Sequence, residues 1–128
     1  MNAKAKSIIY WATTALTALM LLSGGVMYLL HQKDTVEGIV RLGYPVYLLN
    51  ILGVWKILGG LAILAPGFPR LKEWAYAGIF FDLTGAAASH AFSGDTGPYA
   101  FHVIVPILFT ALTVVSWALR PPSRAVAA

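Results

Sequence analysis

Two ionisable residues stand where charge is hardest to keep. Lys56 interrupts an apolar stretch from about Val46 to Ala65, and Asp82 interrupts another from about Leu71 to Phe92. Each lies about ten residues into its stretch. As helices rising about 1.5 Å per residue, both stretches would carry their charge roughly 15 Å deep. That is about half of a bilayer's hydrocarbon core. A lone charge there is costly, and such residues mark ligand, proton or catalytic sites. Asp82 could carry a proton while Lys56 stabilises negative charge developing on a substrate. The competing reading is a structural ion pair that fixes the register of two helices.

A second group consists of His31, His90 and His102, with Asp95 between the last two. Imidazole is both a proton carrier and a good ligand. The spacing contains no His-x-x-x-His pair and no Glu-x-x-His motif, so no metal site is expected. Tyr44 can offer its hydroxyl to a ligand carbonyl at an apolar–polar boundary. The expected ligand-binding set is Tyr44, Lys56, Asp82, Ser89, His90 and His102. Lys56, Asp82, His90 and His102 are the candidates for catalysis. Tyr44, His90 and His102 are expected to line an outward-facing pocket continuous with the bundle interior.

These residues are carried by a chain of 128 residues, 59% hydrophobic and 11% charged. An ordinary soluble domain has about 25% charged residues. The mean hydropathy of +0.74 agrees. Such a chain is neither an ordinary soluble enzyme nor a disordered tail. Nine Lys and Arg against five Asp and Glu give a net charge of +4, but the basic residues do not cluster as a nucleic-acid patch. Without Cys there is no thiolate, disulfide or iron–sulfur chemistry. No nucleotide loop, serine elbow or zinc-protease motif occurs.

The elements that must position these side chains are four apolar spans, at about 7–30, 46–65, 71–92 and 99–119. Each has roughly the 20 residues a helix needs to cross a bilayer. The first is too long for a signal-peptide core and reads as a retained helix. Pro66 and Pro69 are expected to end the second span, and Pro121-Pro122 to stop the fourth. In the connection from Gln32 to Pro45, Thr35 could cap a short helix with Val36, Ile39 and Val40 on one face. Glu37 and Arg41 could pair on the other. This predicts a short helix lying in the membrane interface. The fold class expected for residues 1–128 is therefore one all-α domain, a membrane-embedded antiparallel four-helix bundle with an interfacial helix between helices 1 and 2.

Lys4, Lys6, Arg70, Lys72, Arg120 and Arg124 fall on one side of such a bundle, against Lys33 and Arg41 on the other. That bias predicts cytoplasmic N- and C-termini in a multi-pass protein of the cell (inner) membrane. Small residues allow close helix packing in a bilayer. Candidate stripes are Gly78, Asp82, Gly85, Ala86 and Ser89 in the third span and Gly53, Lys56, Gly59 and Gly60 in the second. Tyr10, Thr14, Thr17, Gly24 and Tyr28 form another in the first. Phe80, Phe81 and Leu83 are expected to face lipid or flanking helices, and the two tyrosines to serve as interfacial anchors.

Three stretches carry a resemblance. They are Leu42-Gly43-Tyr44-Pro45, Leu52-Gly53-Val54-Trp55-Lys56-Ile57-Leu58-Gly59-Gly60, and Pro69-Arg70-Leu71-Lys72-Glu73-Trp74-Ala75-Tyr76-Ala77-Gly78. The last runs on through Phe81-Asp82 to Ser89-His90. With them the chain resembles the DoxX-like family of small four-span membrane proteins over nearly its whole length. The resemblance implies a link to membrane redox chemistry, with a quinone as a candidate cofactor. It does not assign a reaction. The first functional expectation is an accessory protein that binds a small lipophilic molecule in the bundle, in contact with the lipid bilayer. The alternative is a small membrane enzyme, an isomerase or oxidoreductase using Lys56, Asp82 and histidine for proton transfer. A proton-coupled transporter is a third, and would call for a homodimer.

Overall fold

In a computed structural model, residues 1–94 and 100–126 are described, and all their regular structure is helical. The elements are α1 (Ala3–Leu29), α2 (Lys33–Arg41), α3 (Leu48–Leu64), α4 (Pro69–Phe92) and α5 (Phe101–Ala118), followed by a 3-10 turn at Pro122–Arg124. Asp95 and Tyr99 lie outside the described residues.

The long helices α1, α3, α4 and α5 correspond to the four expected spans. They form a ring in which α1 packs on α3 and α5, and α4 packs on α5 and less extensively on α3. Their core is Ala18, Leu21, Ile63, Tyr76, Ile79 and Leu83, with Met20, Ala75 and Phe109 against it. Leu83 is thus a core residue rather than a lipid-facing one. It shares a helix face with Tyr76 and Ile79, at spacings of three and four.

The helix ends differ from expectation in instructive ways. Asn2 caps α1, its side chain accepting from the Ala5 N–H at 2.7 Å. The helix therefore starts before Lys4 and Lys6. Pro66 follows α3, but Pro69 opens α4 instead of closing its predecessor. Proline suits the first helical turn, where its missing N–H has no partner to lose. The short connecting helix forms, yet it starts at Lys33 with Gln32 at the cap, so Thr35 lies inside it. Gly43 ends the segment with φ +89, a conformation that glycine adopts without cost.

Close approach occurs along one seam, between α1 and α3. A Cβ on Gly25 would lie 2.9 Å from the Gly53 carbonyl oxygen, and one on Gly53 would lie 3.1 Å from that of Gly25. Gly60 abuts Leu22 in the same way. The neighbour Gly24, expected in that role, has room to spare. Among the described residues, nothing lies within 4 Å of a Cβ placed on Gly78 or Gly85 of α4. The small-residue stripe of α4 does not draw a helix close.

Bonds between elements define two ends of the bundle. At one end Thr14 on α1 meets Ser116 on α5 at 2.5 Å, and Tyr76 on α4 reaches the same hydroxyl at 2.8 Å. At the other, His31 after α1 meets Asn50 on α3, Tyr44 meets Ser89 on α4, and Arg41 meets His102 on α5. Neighbouring long helices therefore run antiparallel. The outside is apolar, with Leu19, Ile51, Trp55, Trp74, Phe81 and Leu108 exposed. Helices α1 and α5 are long and apolar enough to cross a membrane, while α3 is apolar but has 17 residues.

Candidate functional site

Lys56 is the ninth residue of the 17 in α3. Asp82 lies past the middle of α4, and the antiparallel arrangement brings the two to the same level. The Lys56 ammonium donates to Asp82 Oδ2 at 2.8 Å. The pair is formed as its depth in the two helices suggested. Tyr28 on α1 lies beneath the ammonium, 5.1 Å from ring centroid to Nζ, a cation–π distance. Gly24, one turn earlier on α1, leaves ordinary contact space for the lysine stem. The pair is held by three helices, with 11% and 24% of the two side chains accessible.

That accessibility belongs to a cleft of about 590 Å³ between α3 and α4. Its size lies within the range of small-molecule sites. Leu21, Leu52, Trp55, Leu58, Gly59, Ala62, Leu71, Trp74, Ala75, Gly78, Ile79 and Phe81 line it with Lys56 and Asp82. Among the described residues the ion pair supplies the only charge in this lining. The cleft exists because α3 and α4 pack less extensively than the α1–α3 seam, and because bare Gly78 adds no volume on the α4 side. Trp55, Trp74 and Phe81 are largely exposed and frame its outer side.

The remaining expected residues sit elsewhere. Tyr44 and Ser89 share a 2.7 Å hydroxyl–hydroxyl hydrogen bond. The His90 and His102 rings lie 5.0 Å apart between centroids, tilted by 38°. Arg41 Nη2 lies 3.4 Å from His102 Nδ1. His31 is separate from that pair, its Nε2 donating to Asn50 Oδ1 at 2.7 Å. Ser89 is seven residues beyond Asp82, two turns or roughly 10 Å along α4. Tyr44, Ser89, His90 and His102 do not line the cleft. The six residues expected to form one site therefore divide into a polar cluster at one end of the bundle and an ion pair inside it.

A third polar group was not legible as such. At the opposite end Arg124 Nε donates to Tyr10 Oη at 2.7 Å, and its Nη2 donates to the Ile63, Leu64 and Ala65 carbonyls at 2.7, 3.0 and 3.1 Å. The Lys72 ammonium donates to the Ala65 and Gly67 carbonyls. Two buried cations thus cap the C-terminus of α3, whose last carbonyls lack helical partners and carry the negative end of the helix dipole. Both were read only as part of the charge excess on one side of the bundle. Tyr10 is buried here, not an interfacial anchor. The available signal was the spacing of Lys72 with Tyr76, Ile79 and Leu83, which sets the lysine on the core face of α4.

Residues 12–116 match the DoxX-like family. The chain belongs to the DoxX-like family. The match takes in the whole cleft and the polar cluster opposite, but ends short of Tyr10 and Arg124 on either side. Comparison with curated proteins and with solved structures gives no match. Family membership together with the apolar α1 and α5 makes this DoxX-like protein a small membrane protein. The arrangement offers one chemical possibility above others. A cleft with apolar walls and one ion pair can hold an apolar molecule by its body and orient it by its polar end.

Proposed function

We propose that this DoxX-like protein is a multi-pass protein of the cell (inner) membrane that binds a small lipophilic molecule between α3 and α4, with Lys56 and Asp82 holding its polar end. The observation that carries this is the cleft itself, predominantly apolar and, among the described residues, charged at one ion pair alone. In this reading all four long helices cross the bilayer, α3 at the short end of the workable range of about 17–25 residues. The end bearing both termini has the excess of Lys and Arg and faces the cytoplasm. The exposed Trp55, Trp74 and Phe81 then face acyl chains, so the ligand reaches the cleft sideways from the membrane. A quinone is one candidate, which would give the protein an accessory role in membrane redox chemistry.

The test is mass spectrometry of lipophiles that co-purify with the intact protein, compared with a Lys56→Met/Asp82→Leu variant. One lipophile near stoichiometric amount with the natural chain, and lost from the variant, supports the reading. Equal lipid profiles for the two proteins refute it. A lipophile that the protein converts to another species would make the same pair a proton-transfer site and the protein an enzyme.

A further inference from the structure

We infer that the polar end of the bound lipophile is uncharged and carries a hydrogen-bond acceptor and a donor side by side, on the same or adjacent carbons, as in a carboxamide or an α-hydroxy ketone. The inference rests on the reading of the cleft as a lipophile site and narrows what that site takes.

The argument starts from the hydrogen-bonding capacity the ion pair leaves over. Lysine has three ammonium donors, and a carboxylate has two acceptor oxygens. Among the described residues, Lys56 makes one hydrogen bond, to Asp82 Oδ2 at 2.8 Å, and Asp82 Oδ1 accepts none. The Tyr28 ring covers one side of the ammonium without offering it an acceptor oxygen on that face. Both side chains line the cleft and remain partly accessible. Apart from these two, the described lining offers no charged group to satisfy them. Polar groups away from water require partners, and the demand is stronger where the surroundings are apolar.

The chemistry of the pair then selects among heads. An anionic head gains from Lys56 and is repelled by Asp82, and a cationic head meets the reverse. An ester or ether accepts from Lys56 and leaves Asp82 Oδ1 unmet. A neutral head with both functions accepts from the ammonium through its carbonyl and donates to Oδ1 through its neighbouring N–H or O–H. The two partners are themselves adjacent, so acceptor and donor must be adjacent on the ligand. An unsubstituted quinone has acceptors only and fits the pair less well.

The experiment uses the full-length protein in lipid nanodiscs and two probes with one alkyl chain. These are a dodecanamide and the methyl ester of the same acid, each brominated at the chain end to quench tryptophan fluorescence. Trp55 and Trp74 in the cleft wall report binding as saturable quenching. The amide should saturate at a mole fraction about tenfold or more below the ester, as expected for a hydrogen bond to a charged group. In Lys56→Met/Asp82→Leu the two probes should become equivalent. Gly78→Leu, which fills the cleft from a position with open space around it, should abolish saturable quenching by both. An ester that binds as tightly as the amide overturns the head-group inference and leaves the lipophile site standing. If neither probe gives saturable quenching, because a second copy of the chain or nothing at all occupies the cleft, both readings fall. The comparison in the natural sequence decides the matter even where the double variant does not fold.

Discussion

Arg124 and Tyr10 are 114 positions apart and share a 2.7 Å hydrogen bond that closes one end of the bundle. The same guanidinium caps α3 through three carbonyls, and its carbon lies 5.0 Å from the centre of the Trp11 ring. The tail after α5 is therefore a working part of the fold. It joins α1, α3 and the chain's end at a place where unpaired carbonyls would otherwise be buried.

Arg124→Leu should accordingly destabilise the protein by about 2–3 kcal/mol, since it removes charge-assisted bonds and strands the α3 carbonyls. Tyr10→Phe removes one of those bonds and should cost about 1–2 kcal/mol. Thermal or denaturant unfolding in detergent measures both. A tail that merely lies on the surface would give no change for either variant.

The α1–α3 seam makes a sharper prediction, because two glycine classes can be compared within one protein. Gly25→Ala drives a methyl to 2.7 Å from Ile57 and 2.9 Å from the Gly53 oxygen. Backbone cannot yield as a flexible side chain can, so the helices must part, at a cost of about 1–3 kcal/mol. Gly85→Ala meets open space and should leave stability unchanged or raise it. Equal effects at the two sites would mean that the seam does not hold the bundle together.

The pattern of apolar runs made the four long helices and the short connecting helix legible, because hydrophobic length and proline placement are local properties. The depth of Lys56 and Asp82 was legible for the same reason: distance along a helix converts directly to height. Sideways packing was not. Gly24 and Gly25 are adjacent in sequence, but about 100° of rotation decides which one meets Gly53. The stripe through Gly78 and Gly85 has the composition of a packing face, yet its Gly78 and Asp82 border a cleft instead. Nor did residue type alone show that Arg124 folds back beneath α3, since that bond spans most of the chain. His90 and His102, expected at one pocket, do lie side by side. Their separation from the ion pair follows from the two helical turns between Asp82 and Ser89.

Orientation can be tested at two exposed positions on opposite ends, Ser93 after α4 and Ser123 beside Arg124. With the termini in the cytoplasm, Ser93→Cys should react with a membrane-impermeant thiol reagent on intact cells. Ser123→Cys should react only after the membrane is opened. The chain has no natural cysteine, so the background is clean. The reverse labelling pattern would invert the topology without touching the fold, and labelling of both from outside would contradict a crossing by α5 between them.

The contact between Lys56 and Asp82 calls for a double-mutant cycle. Either single change, Lys56→Met or Asp82→Leu, leaves an unpaired charge beside an apolar cleft. Breaking a largely buried pair in this way costs about 3–5 kcal/mol, and the partial accessibility of both side chains places the expected loss near the lower figure. The double variant removes both charges and replaces them with apolar volume. It should regain most of that stability, giving a coupling energy of at least about 1–2 kcal/mol. Stability alone does not distinguish a register-fixing pair from a binding site, so ligand retention must be measured on the same three variants. A stable double variant that still binds its lipophile with natural affinity would reduce the pair to a structural role. A stable double variant that has lost the lipophile separates binding from folding and assigns the cleft to function.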